Sequence, residues 1–94
     1  MKGVEVLHNK NECSYWIYTI KVNNQKRFMD VMKKKGIMVS RIHERNDKHS
    51  CVKQYKRKLP NLDKLVNQMI CIPVGWWLSK EDREYIVSTI KEGW

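Results

Sequence analysis

The sequence predicts an α/β fold: a two-layer small domain in which helices pack on a short mixed or antiparallel sheet. Apolar and aromatic residues alternate at period two from Tyr15 to Val22, and three later segments carry apolar residues at helical spacing. The segments follow the order strand, helix, strand, long connection, helix, short strand, helix.

Residues 1–14 are mixed and polar after Val4 and Val6, with Asn9, Lys10 and Asn11 marking a turn. They read as an incoming connection with room for a short strand, leaving 15–94 as the domain. In the first strand Trp16, Tyr18, Ile20 and Val22 share one face. Tyr15, Ile17 and Thr19 make the other face fairly apolar, which predicts a central strand covered on both sides. Asn23-Asn24 offers a turn and a helix cap. A helix over 25–35 follows, with Phe28, Val31 and Met32 on one stripe and Lys26, Arg27, Asp30 and Lys33 on the other. Gly36 ends it at the left-handed position glycine tolerates best. Ile37 to Ile42 is expected to form the second strand.

Residues 43–59 make a long basic connection with one helical turn around Ser50 to Tyr55. Leu59-Pro60-Asn61 opens the next helix, with Leu62, Leu65, Val66 and Met69 as its apolar stripe. Ile70 to Val74 reads as a short strand that Pro73 confines to an edge or ends. Gly75 to Leu78 is a loop. Its adjacent Trp76 and Trp77 cannot both enter one core; one is expected to pack under the final helix while the other faces a neighbouring surface. Ser79 caps the last helix with an acid, Asp82, three residues on. Ile86, Val87 and Ile90 form its buried stripe, and Gly93 closes it.

The net charge is +9, from 19 Lys and Arg against 10 Asp and Glu. The positives are scattered, apart from Lys33-Lys34-Lys35 and the run Lys53 to Lys58. They read first as a solvated surface, then as a site for a phosphorylated small molecule, and last as a nucleic-acid surface. Lys53 to Lys58 interleaves Tyr55 with four cations, as a single-strand binder does, but no recognition-helix or RNA-binding signature accompanies it. Cys13, Cys51 and Cys71 are an odd set with no secretory signal before them, so reduced thiols in a cytoplasmic protein are expected. Cys71, between two isoleucines, reads as a small core residue. No segment reaches the ~18 continuous apolar residues that span a bilayer.

The stretch from Gly36 to His49 holds the densest chemistry. It runs from a helix stop through an apolar strand into a loop carrying His43, Arg45, Asn46 and Asp47. Such a loop reads as one wall of a site. The alternative is a structural loop in which Asn46 and Asp47 cap a turn. His43, His49 and Cys51 lack the paired short spacing of a zinc site, so no metal is expected.

Several motifs occur together: SYWIYTIKV, the helix QKRFMDVMKKKGI, the loop VSRIHERNDKH, and LPNLDKLVNQMICIPVGWWLSKEDREYIVSTIKEGW. This concatenation resembles the C-terminal part of the DegT/DnrJ/StrS family of pyridoxal-phosphate-dependent sugar-nucleotide aminotransferases, from about Tyr15 to Trp94. The resemblance implies a domain of an enzyme that moves an amino group, usually from glutamate, onto a nucleotide-linked keto-sugar. It also implies that pyridoxal phosphate, its Schiff-base lysine and its phosphate ligands belong to a large N-terminal domain. No lysine of this chain stands in that motif, so none is assigned a catalytic role and no cofactor is expected on the chain alone. A homodimer is implied for the complete enzyme. The chain is then a fragment, a split gene product or a stand-alone protein.

His43 aligns with the family's loop histidine, which faces the substrate cleft. The residue after it is often aromatic in the family; here it is Glu44. The resemblance thus makes His43, Arg45, Asn46 and Asp47 candidate substrate contacts, with the Arg45 fork suited to phosphate. The rival reading is a non-catalytic basic α/β module that binds nucleic acid or another anionic partner.

Overall fold

A computed structural model describes residues 2–7, 14–41 and 43–94. The expected turn at Asn9 to Asn11 and Cys13 lie outside the described residues, as does Ile42. Three strands form one antiparallel sheet in the order β1 (Val4–Val6), β2 (Tyr18–Val22), β3 (Met69–Ile72). Three helices accompany it: α1 (Gln25–Lys34), α2 (Pro60–Val66) and α3 (Lys80–Glu92). The expected two-layer α/β class is the observed one, with an antiparallel sheet. The incoming connection contributes the edge strand β1.

The register explains the period-two pattern. Ile20 stands opposite Val6 on one side and Ile70 on the other, while Tyr18 meets Ile72 and Val22 meets Val4. Alternate residues of all three strands therefore line one apolar face. Phe28 and Met32 of α1, Ile37 after it, and Ile86 and Ile90 of α3 pack with Ile20, Val22 and Ile70 into the core. Trp94 closes one end: its ring meets Phe28 edge-on at 5.0 Å, and its Nε1 donates to the Asn23 carbonyl at 2.6 Å.

β2 is central, as expected, but it begins at Tyr18. Its second face is polar rather than covered by an apolar layer. Thr19 Oγ1 lies 3.3 Å from Cys71 Sγ, Lys21 pairs with Glu5 at 2.8 Å, and Tyr15 is exposed. Cys71 is buried.

α1 starts at Asn24, which takes a left-handed backbone (φ 52°) and whose side chain accepts from the Arg27 N–H. Gly36 takes φ 76°, as the helix stop requires. The strand expected over 37–42 shortens, among the described residues, to one bridge. Ser40 and Cys71 exchange backbone hydrogen bonds of 3.2 and 2.8 Å. Exposed Met38 and Arg41 leave this segment little apolar surface to bury. The long connection holds two 3₁₀ turns, Asn46–Lys48 and Ser50–Tyr55.

Two stripe assignments change. Met69 belongs to β3 rather than to α2, because α2 stops at Val66 and the chain turns through Gln68. Val87 is 40% exposed, while Thr89 is buried through a hydrogen bond from its hydroxyl to the Tyr85 carbonyl. β3 ends before Pro73, which cannot donate to a ladder.

Ser79 and Asp82 form the expected capping box at α3. The Ser79 hydroxyl accepts from the Asp82 N–H, and the Asp82 carboxylate accepts from the Ser79 N–H, both at 3.0 Å. The hydrogen bonds from Ser79 hold the Asp82 carboxyl below the usual carboxylate range. A depressed folded-state pKa stabilises above the unfolded value of 3.8 and is lost as pH falls through the folded value. Asp82→Asn is expected to lower the melting temperature at pH 7, with the difference shrinking below pH 3.8. Paired thermal melts at the two pH values check this.

Candidate functional site

The loop after the Ser40 bridge carries the four residues singled out by the sequence, and the structure divides them into two kinds. His43 and Asn46 are exposed, whereas Arg45 and Asp47 are half-buried against each other. The Arg45 guanidinium grips Asp47 through two parallel hydrogen bonds, Nε to Oδ1 and Nη2 to Oδ2, the second at 2.6 Å. Its Nη1 donates to Asp63 Oδ1 at 2.5 Å. Asp63 lies in the first turn of α2. The arginine thus straps the loop to a helix that begins 15 residues later in the chain.

The electrostatics follow from this geometry. The hydrogen bonds that Arg45 donates to Asp47 and Asp63 push its pKa further up. The Arg45 bonds hold the Asp47 carboxyl below the usual carboxylate range, and the charge of Lys56 adds to that. Three of the five guanidinium N–H groups are engaged, leaving two. The Asn46–Lys48 turn is closed by the Lys48 and His49 amides, which donate to the Arg45 and Asn46 carbonyls. Glu44 pairs with Lys48 at 3.1 Å across an exposed surface, a contact that adds little.

Sequence reasoning missed Asp63. It reads as an ordinary first-turn helix acid, and no local spacing links it to Arg45. Missed too was the surface around the tryptophans. Neither Trp76 nor Trp77 packs under α3; they are 93% and 66% exposed and meet edge-on at 6.0 Å. They wall an open apolar groove of about 850 Å³ with Trp16, Tyr18, Ile72 and the α3 side chains Arg83 and Val87. None of residues 43–47 lines that groove. No helix among the described residues is long and apolar enough to cross a membrane.

Comparison with known proteins places these features in a family. The model of the DegT/DnrJ/EryC1/StrS aminotransferase family matches residues 1–91. Among solved structures, the sugar aminotransferase CalS13 from Micromonospora echinospora is 41% identical and superposes with a TM-score of 0.93 over 100% of this chain. AtS13 from Actinomadura melliaura is also 41% identical, with a TM-score of 0.90 over 98%. The match takes in only 26% and 25% of those chains, so this chain spans about a quarter of their length. No curated protein matches. The chain belongs to the DegT/DnrJ/EryC1/StrS aminotransferase family.

Proposed function

We propose that residues 15–94 are the C-terminal small domain of a pyridoxal-phosphate-dependent aminotransferase, with 1–14 as the connection leading in. The complete enzyme transfers an amino group from glutamate to a nucleotide-linked keto-sugar, works in the cytoplasm and is a homodimer. The observation that carries this reading is the 41% identity to a sugar aminotransferase over the whole of this chain. Free Cys51 and Cys71 fit a reducing compartment.

The residues of this chain do not fit the cofactor itself. Among the described residues its apolar groove has no lysine in its wall and one charged group, Arg83. Pyridoxal phosphate needs a lysine to bond and a cradle of donors for its phosphate. Both are assigned to the large domain, and no chemical step is placed on this chain.

What this chain adds is a wall of the substrate cleft. His43 and Asn46, exposed on a loop held by the Arg45 strap, present donors and acceptors to the sugar or the diphosphate. Arg45 turns its two remaining N–H groups to the same ligand, with Asp47 fixing the plane of the fork. In the complete enzyme His43→Ala and Asn46→Ala are expected to raise KM for the nucleotide-sugar about 10-fold with little change in kcat. Arg45→Lys, which keeps the charge and loses the fork, should raise KM and loosen the loop to hydrogen exchange. Unchanged KM and turnover in all three variants would sink the assignment.

One observation favours the rival. Lys53, Lys56, Arg57 and Lys58 are exposed and make no ion pair among the described residues, and Tyr55 between them is exposed. Tight binding to generic RNA or DNA that falls steeply with salt would mark a nucleic-acid module instead.

A further inference from the structure

No residue from 43 to 58 is buried, so the long connection has no side chain seated in the core. The backbone bonds of its two 3₁₀ turns are local: Lys48 and His49 donate to Arg45 and Asn46, Val52 donates to His49, and Lys56 to Lys53. The Arg45–Asp47 and Lys48–Glu44 pairs are local as well. Among the described residues, the one hydrogen bond or ion pair from this segment to an element of the fold runs from Arg45 Nη1 to Asp63 Oδ1, at 2.5 Å.

Asp63 is a fixed point for that tie. α2 is joined to the core at its end, where Gln25 Nε2 donates to the carbonyls of Val66 and Met69 and the Val22 N–H donates to the Gln68 carbonyl at 2.9 Å. Within α2 the Asp63 N–H donates to the Leu59 carbonyl at 2.8 Å, and Asn67 Nδ2 donates to the Asp63 carbonyl at 3.1 Å. Asp47 instead travels with the loop it belongs to. The two carboxylates therefore hold one guanidinium with different consequences. Asp47 sets the plane of the fork, and Asp63 sets where the fork stands relative to the sheet. A lone exposed ion pair contributes little, but a three-charge network on an arginine whose side chain is 16% exposed contributes more. A segment with no buried anchor needs only a modest energy to be held in one place.

We infer that Asp63 is a positioning residue for the nucleotide-sugar: without touching the ligand, it holds the 43–58 segment, through Arg45, where His43 and Asn46 meet that ligand. The inference rests on the substrate-contact reading of those residues given above. It predicts a sign that charge alone would reverse. The diphosphate is negative, so an aspartate near it opposes binding, and its removal would free one more Arg45 N–H for phosphate. On electrostatics alone Asp63→Ala tightens binding. With the tie lost, the segment spends less time in the held position, and apparent affinity falls with that fraction. Saturating ligand draws the segment back, so kcat is kept.

The test uses a chimaera in which this chain replaces the matching quarter of CalS13. Asp63→Ala should raise KM for the nucleotide-sugar about 5-fold at unchanged kcat. Hydrogen exchange across 45–56 should quicken about 5-fold. The melting temperature should stay within about 2 °C, since the side chain is exposed. An unchanged or lower KM for Asp63→Ala, where His43→Ala does raise KM, overturns the inference and leaves the substrate-contact reading standing. If His43→Ala and Asn46→Ala also leave KM unchanged, that reading has failed and the inference falls with it. Unchanged exchange across 45–56 overturns the inference whatever KM does. So does a melting temperature lowered by more than about 2 °C at unchanged KM, because the pair is then purely structural.

Discussion

Phe28→Ala is expected to remove about 3–5 kcal/mol of folding stability, the largest loss of any single change in this chain. The ring has no exposed surface and sits where α1, the sheet and Trp94 meet. Its truncation leaves a cavity that rigid neighbours cannot fill. Ile20 and Ile70 are held by strand register, and Trp94 is pinned by its hydrogen bond to Asn23. Domains have only about 5–15 kcal/mol in total, and one of this size sits toward the lower end. Thermal unfolding followed by circular dichroism should show a drop of at least about 12 °C, or no folded baseline at all. Phe28→Leu, which refills most of the volume, should recover more than half of the loss. A drop of only a few degrees for Phe28→Ala would mean that Phe28 is not the centre of the core.

Gln25→Leu is expected to cost about 1–3 kcal/mol although it adds an apolar side chain of similar size to a buried site. The Gln25 amide nitrogen donates to the Val66 carbonyl at 3.2 Å and also to the Met69 carbonyl. It ties the first residue of α1 to the turn between α2 and β3. Leucine would leave both carbonyls without this donor in a place water reaches poorly. Urea unfolding should shift to a lower midpoint with an unchanged slope. Hydrogen exchange should rise first at Gln68 and Met69. A variant as stable as the parent would show that water replaces the amide.

Both predictions bear on how much was legible in the sequence. The core stripe of α1, the cap at Asn24, the stop at Gly36 and the box at Ser79 and Asp82 all depend on neighbours within a few positions. Those elements were therefore readable. Gln25, Asp63 and Trp94 were not, because each acts on a residue 18 or more positions away. Periodicity reports which face is apolar but not which part of it stays uncovered. Val87 looked like core, and both Trp76 and Trp77 proved exposed, for that reason. The loop from His43 to Asp47 was visible as a cluster of functional groups. That Arg45 is occupied by two carboxylates was not, and it moves the proposed substrate contacts toward His43 and Asn46.

Amino transfer by a chimaera in which this chain replaces the matching quarter of CalS13, assayed with glutamate and a nucleotide-linked keto-sugar, tests the proposed function most directly. Transfer is expected at a rate within about 10-fold of CalS13, with His43→Ala raising KM rather than abolishing kcat. A folded, cofactor-loaded chimaera that binds the nucleotide-sugar normally and transfers nothing would contradict it.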